Sequence, residues 1–115
     1  MSNRTNFKME YENITMTRGD TVSFNCECFD QNYVSVNVDN AWLTVRERIT
    51  GEPVFTKTIG SGISQDEGML TIRIAPEDTQ EIDEGIYFYD FVIKVNNDIF
   101  TLKKGTLTVE WDSTY

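Results

Sequence analysis

Residues 83 to 95 read Asp-Glu-Gly-Ile-Tyr-Phe-Tyr-Asp-Phe-Val-Ile-Lys-Val, an acidic turn that runs into the longest aromatic and β-branched segment of the chain. Successive side chains of an extended strand point to opposite faces, and aromatic and β-branched residues favour strands. One face therefore carries Tyr87, Tyr89, Phe91, Ile93 and Val95, and the other carries Ile86, Phe88 and Val92. Because both faces are largely apolar, the segment predicts a strand in the middle of the fold, with both of its faces covered.

The turn before this strand has a recognisable pattern of its own. Asp83, Gly85 and Tyr87 resemble the Asp-x-Gly-x-Tyr of the immunoglobulin tyrosine corner, in which a tyrosine hydroxyl bonds to upstream backbone. That role would fall to Tyr87. Tyr89 stands where a disulfide-bonded immunoglobulin domain has cysteine, so the resemblance is one of architecture.

The rest of the chain shows short strand patterns at intervals of about ten residues, separated by Gly, Asn and Asp, with almost no helical period. The predicted strands are Tyr11 to Met16, Thr21 to Cys28, Ala41 to Arg48, Val54 to Ile59, Met69 to Ile74, Phe88 to Val95, Ile99 to Lys103, and a last strand carrying Leu107, Val109 and Trp111. This profile predicts an all-β fold, an immunoglobulin-like antiparallel β-sandwich of seven to eight strands. A small barrel is the alternative.

The connections between these strands are predicted from their turn-forming residues. Thr17 to Asp20 reads as a turn, and polar Phe29 to Asn40 as a long loop with a short edge strand. The glycine-rich Gly60 to Gly68 reads as an exposed connection, and Ala75 to Gln80 as a single helical turn. Gly105 is predicted to mark a bulge or bend.

The length of 115 residues predicts one domain over residues 1 to 115, with residues 1 to 10 as an N-terminal arm. A net charge of −9 disfavours binding to nucleic acid or to an anionic membrane. An acidic mimic of DNA would require the charges to line one face. The N-terminus lacks an apolar leader segment, so we expect the chain to stay in the cytosol at first.

The residue types argue against catalysis and against a bound metal. The chain has no histidine, so a general base near neutral pH would have to be a strongly shifted carboxylate or lysine. Cys26 and Cys28 are predicted to be buried structural thiols on one strand face, too far apart for a mutual disulfide without a kink. No catalytic, cofactor-binding or metal-ligating residue is predicted. The acidic clusters at Asp66 and Glu67, at Glu77 and Asp78, and at Glu81, Asp83 and Glu84 are interpreted as a solvated face, with a Ca²⁺ loop as the alternative.

Several short motifs, in their order and spacing, look like those of tail and baseplate structural domains of bacteriophages and prophages. The motifs are Ile14 to Thr21 with its Arg-Gly-Asp turn, Ala41 to Arg46, Thr56 to Ile59, Met69 to Thr79, Gly85 to Asp90, and Phe100 to Val109. The N-terminal domain of upper baseplate proteins is the named family that they resemble. The polar insert of Phe29 to Asn40 departs from it, as does the end at Tyr115 without a coiled coil or receptor-binding module.

The resemblance implies a non-enzymatic structural or adaptor protein of a phage or prophage particle, in its tail, baseplate or head-tail region. Its partners would be other phage structural proteins and further copies of the chain. Its location would be the bacterial cytoplasm during assembly and then the virion. The alternative is a carbohydrate- or ligand-binding sandwich, for which Trp42, Trp111 and Tyr115 are the candidate stacking residues.

Overall fold

The computed structural model describes residues 9 to 28 and 36 to 111, and these residues form nine strands and one short helix. The strands are β1 (Glu10–Tyr11), β2 (Ile14–Thr17), β3 (Val22–Glu27), β4 (Asn40–Arg46), β5 (Pro53–Ile59), β6 (Gly62–Asp66), β7 (Met69–Ile74), β8 (Gly85–Val95) and β9 (Asp98–Glu110). The helix α1 (Pro76–Thr79) lies between β7 and β8.

The strands form two layers that pack face to face. A front layer has the order β9, β8, β4, β5, with β1 and β2 both pairing with β9, and a back layer has the order β6, β7, β3. A short parallel pairing of β5 with β6 joins the layers at one side. Phe24 and Ile74 of the back layer meet Leu43, Tyr89 and Leu107 of the front layer across a gap that has no room for water. The predicted immunoglobulin-like β-sandwich is thus confirmed, with nine described strands where seven to eight were expected.

The central strand β8 lies between β4 and β9, as its sequence predicts. Its inner face is buried throughout, with exposed fractions of 5% at Tyr87, 4% at Tyr89, and 0% at Phe91 and Ile93. The expectation that both faces would be covered is wrong. Ile86 on the outer face is 62% exposed, because the structure places no second layer of described residues over it.

The strands predicted from residues 21 to 28, 41 to 48, 54 to 59 and 69 to 74 are all present, within two residues at each end. Leu70, Ile72 and Ile74 of β7 point inward and are almost fully buried. The predicted helical turn is α1, which begins with Pro76, where a missing N–H has no consequence.

The hairpin of β8 and β9 turns at Asn96 and Asn97, whose φ angles of 50° and 73° are left-handed conformations that asparagine tolerates. The strand register shifts opposite Phe91 and Val92, which leaves Leu102 unpaired. The prediction of a bulge at Gly105 is therefore wrong. A Cβ at Gly105 would collide with the carbonyl oxygen of Glu12, so glycine is required there by close approach of the N-terminal segment.

The N-terminal strand predicted over Tyr11 to Met16 is two strands, β1 and β2, both parallel to β9. The break between them, at residues 12 and 13, is where Glu12 crosses Gly105. Of the arm predicted over residues 1 to 10, residues 1 to 8 lie outside the described chain, and Glu10 already belongs to β1.

Two predicted connections differ from the structure. The segment from Gly60 to Gly68 contains β6, in which Ile63 is only 3% exposed, so it contributes to the core although its glycines and polar residues predict a loop. Of the segment predicted as a loop with an edge strand, residues 29 to 35 lie outside the described chain, and residues 36 to 39 form no strand. Val38 is nevertheless buried, held by hydrogen bonds with the Gln65 side chain.

Candidate functional site

The predicted tyrosine corner has the hydrogen bond that defines it. Tyr87 Oη donates to the carbonyl oxygen of Asp83 at 2.6 Å, and Gly85 starts β8 opposite Val109. Arg18 Nη1 donates to the carbonyl oxygen of Ile82 at 3.2 Å. Burial, and after it the negative charge of Asp83, raises the pKa of Tyr87, so its hydroxyl remains a donor at neutral pH. The corner is architectural, because its polar groups bond to one another.

The candidate stacking residues do not come together. Trp42 lies half-buried on the outer face of β4, opposite Val92. Trp111 follows β9, is 65% exposed, and has the Arg18 guanidinium 5.3 Å from its ring centre. Trp42 lies opposite Val92, while Val109, two residues before Trp111, pairs with Gly85, so the two tryptophans are at least seven residues of β8 apart, or roughly 23 Å. Tyr115 lies outside the described residues.

A different surface gathers exposed apolar and charged groups. A groove of about 420 Å³ crosses the outer face of β4, β8 and β9, and we call it the outer groove. Phe88 lies on its floor, while Tyr11 of β1 and Ile49 of the β4–β5 connection are 73% and 77% exposed at its rim. The described residues that line it are Tyr11, Arg46, Ile49, Phe88, Tyr89, Asp90, Lys104, Gly105 and Thr106.

The charges of the outer groove are unbalanced in favour of cations. Arg46 Nη1 lies 3.5 Å from Asp90 Oδ2, and Arg46 Nε donates to the carbonyl oxygen of Gly51 at 3.1 Å. Lys104 Nζ lies 5.5 Å from the centre of the Tyr11 ring, and no carboxylate among the described residues forms an ion pair with it. On a chain of net charge −9, this groove therefore offers an unpaired ammonium group beside apolar surface.

The rim of the groove depends on long-range hydrogen bonds that hold β1 against β9. Tyr89 Oη donates to the carbonyl oxygen of Glu12 at 2.8 Å, and the Thr106 N–H donates to Asn13 Oδ1 at 3.0 Å. Burial, with Glu12 and Glu10 adding negative charge, raises the pKa of Tyr89 to about 12. Tyr11 is thereby fixed beside Lys104, with which it pairs in the parallel register.

The two thiols are free, and neither lies in the outer groove. Cys28 is fully buried, and burial together with the neighbouring Cys26 raises its pKa to about 12. Burial also raises the pKa of Cys26, against the opposing effect of Lys103. Thiolate, the nucleophilic form, is therefore scarce at neutral pH.

Within the described part of the chain, no three His, Cys, Asp or Glu residues cluster as metal ligands would. No helix there is long and apolar enough to cross a membrane.

Neither a family model nor a curated protein matches this sequence. Among solved structures, the chain is similar to the N-terminal Ig1-2 module of the Drosophila receptor protein tyrosine phosphatase DLAR, with a TM-score of 0.44 and 20% identity. The match covers 96% of this chain, which spans about half (48%) of that one. At this level the similarity carries no argument about function.

Sequence reasoning missed the outer groove because its rim comes from distant parts of the chain. Tyr11 and Lys104 are adjacent only through the parallel pairing of β1 with β9. The one available signal was on β8, where Phe88 and Asp90 alternate with the core residues and so had to face outward.

Proposed function

We propose that this chain is a non-enzymatic assembly domain that docks onto another protein through the outer groove. The supporting observation is the combination there of an apolar floor at Phe88, exposed apolar rims at Tyr11 and Ile49, and Lys104, which has no ion pair with a described carboxylate. The groove suits one apolar side chain of a partner with a carboxylate next to it. Aromatic anchors beside a cation are typical of the energetic centres of protein interfaces.

A non-catalytic role is supported by the chemistry of the chain. No histidine is available as a base, and the raised pKa values of Cys26 and Cys28 disfavour a thiolate nucleophile. Among the described residues, the outer groove holds one arginine, one aspartate and one lysine, and the aspartate is already paired with the arginine. This arrangement favours recognition over bond-breaking chemistry.

The setting we propose is the tail, baseplate or head-tail region of a phage-like particle. It rests on the sequence resemblance of the Arg-Gly-Asp turn, the Gly85 to Asp90 strand and the closing Phe100 to Val109 strand. The partner would then be another structural protein of the particle, met first in the bacterial cytoplasm.

The direct test is binding to the purified structural proteins encoded beside this one, each immobilised on a biosensor. We expect one of them to bind, and both Lys104→Glu and Phe88→Asp to weaken the affinity at least tenfold. Lys94→Glu is the matched control, since Lys94 is on the outer face of β8 but outside the groove. The proposal would be contradicted if Lys94→Glu weakened the affinity as much as Lys104→Glu, or if none of the proteins bound.

A carbohydrate or other small ligand is the second candidate, because the outer groove places an exposed tyrosine ring near the Arg46–Asp90 pair. Glycan-array binding that Tyr11→Ala abolishes, while Trp42→Ala leaves it intact, would favour this reading. A silent array together with protein binding would favour the assembly role.

A further inference from the structure

Among the described strands, β3 ends the back layer and pairs with β7 on one side only. The Cys28 N–H donates to the carbonyl oxygen of Gly68 at 2.6 Å, which identifies Cys28 and Gly68 as a hydrogen-bonded pair. In the same antiparallel register, Cys26 pairs with Leu70 and Phe24 with Ile72. Since hydrogen-bonded and non-bonded pairs alternate, these residues also direct their backbone groups toward β7.

The intervening residues Ser23, Asn25 and Glu27 therefore direct their N–H and C=O groups away from β7, to the open edge. No described residue forms a backbone hydrogen bond with any of these three. The strand lacks several of the devices that protect an edge, since it contains no proline, no lysine and no break in its register with β7. It offers a complete hydrogen-bonding ladder for one more strand.

We infer that two copies of this chain associate through their β3 edges, antiparallel and about a two-fold axis at Asn25. With Asn25 opposite Asn25 of the second copy, Ser23 lies opposite Glu27 in both directions. All three outward-facing residues then form hydrogen-bonded pairs, and the two back layers become one continuous sheet. This surface is separate from the outer groove, so the inference goes beyond the proposed function.

The side chains of β3 fit this pairing on both faces. On the inner face, half-buried Phe24 would lie next to Cys26 of the second copy in a non-bonded pair, with Cα atoms about 4.5 Å apart. On the outer face, Arg73 lies opposite Ser23, so it would reach over this short side chain to Glu27 of the second copy. The register places no like charges opposite each other, despite the net charge of −9.

The test measures the mass of the full chain by sedimentation and light scattering, with Asn25→Pro and Asn25→Thr as matched variants. Proline removes the N–H on which the added strand depends, and the monomer does not use that N–H in its own sheet. We expect the wild type and Asn25→Thr to dimerise, and Asn25→Pro to weaken the dimer at least tenfold. A monomeric wild type, or an Asn25→Pro variant that dimerises as tightly as Asn25→Thr, would overturn the inference.

Cysteine cross-linking provides a second measurement that does not depend on the proline variant folding. In the inferred register the Cα atoms at position 25 of the two copies are about 5.5 Å apart, within disulfide range, and those at position 23 are roughly 14 Å apart. We expect oxidation to join two copies of Asn25→Cys through position 25, located by peptide mapping, and to join Ser23→Cys far less. Equal cross-linking would overturn the inference. The inference would also be overturned if Asn25→Pro lowered the stability of the monomer much more than Asn25→Thr did. Such a result would mean that the chain itself covers the β3 edge.

Discussion

The inner and outer faces of β8 alternate along the same eleven residues but have opposite surroundings. On the inner face, Tyr87 and Tyr89 pair across the sheet with Leu107 and Val45, and all four are buried. On the outer face, Phe88 has Arg46 and Thr106 as its cross-strand neighbours.

The difference shows that an apolar strand face becomes core only where a second layer packs over it. An apolar residue among polar neighbours, such as Phe88, contributes less to the stability of the fold. It remains available to a partner, which is the basis of the proposed docking site.

The largest expected contrast between the two faces is in stability. Phe91→Ala should lower the free energy of unfolding by about 3 to 5 kcal/mol, because it leaves a cavity where the side chain is fully buried. Phe88→Ala, on the outer face, should cost about 1 kcal/mol. Urea denaturation of both variants measures the difference. Equal costs would mean that the outer face is covered in solution and that the contrast is wrong.

The next effect is on the pH dependence of stability, and it comes from the inner face. The pKa of Tyr89 is raised to about 12 in the folded chain, against about 10 when unfolded, so the protonated form is favoured by folding. This contribution is complete below pH 10 and is lost as the pH rises toward 12. Two pKa units correspond to about 2 to 3 kcal/mol.

Denaturation between pH 9 and 12 measures this loss. Tyr89→Phe should show a shallower decline than the wild type over the same range. Lysine titration affects both proteins alike, so the difference between them isolates Tyr89. Parallel curves would show that the Tyr89 hydroxyl is not linked to folding.

A smaller effect is expected from the hydroxyl of the corner. Tyr87→Phe should lower the free energy of unfolding by about 1 kcal/mol, because Asp83 loses the 2.6 Å hydrogen bond to its carbonyl oxygen. Tyr11→Phe is the matched control on the outer face, where the ring is 73% exposed, and it should have almost no effect. Thermal unfolding distinguishes the two. A Tyr87→Phe variant as stable as the wild type would show that the hydrogen bond of the corner does not stabilise the fold.

The smallest effect on stability is expected at the Arg46–Asp90 pair. Both side chains are about one-third exposed, and surface ion pairs of this kind contribute at most about 1 kcal/mol. Arg46→Gln and Asp90→Asn should each change the free energy of unfolding by about 0.5 kcal/mol or less, and a double-mutant cycle gives their coupling. A large coupling free energy would show that the pair stabilises the fold, which would contradict its assignment to a binding surface.

Local patterns allowed much of this fold to be predicted. The alternation of Leu70, Ile72 and Ile74, the paired asparagines at 96 and 97, and the spacing of Asp83, Gly85 and Tyr87 each depend on a few adjacent residues. Such signals identify strands, hairpins and corners because the physical cause lies within the segment itself.

Features that depend on distant contacts were not predictable in the same way. Gly105 is needed because Glu12 crosses it, and β6 forms because Ile63 is covered by the opposing layer. The outer groove is of the same kind, since its rim joins Tyr11 to Lys104. A single sequence does not show which distant segments come into contact in the fold.

The parallel pairing of β2 with β9 has a mechanical consequence. These are near the two ends of the described chain, and they pair over four residues from Ile14 opposite Leu107 to Thr17 opposite Glu110. Tension applied between residues 9 and 111 would pull the two strands along their axes in opposite directions. Their evenly spaced hydrogen bonds would share this shear load and break together rather than one by one. We expect the domain to resist stretching between its ends more strongly than tension that peels β8 from β9, a useful property in any assembly that transmits force.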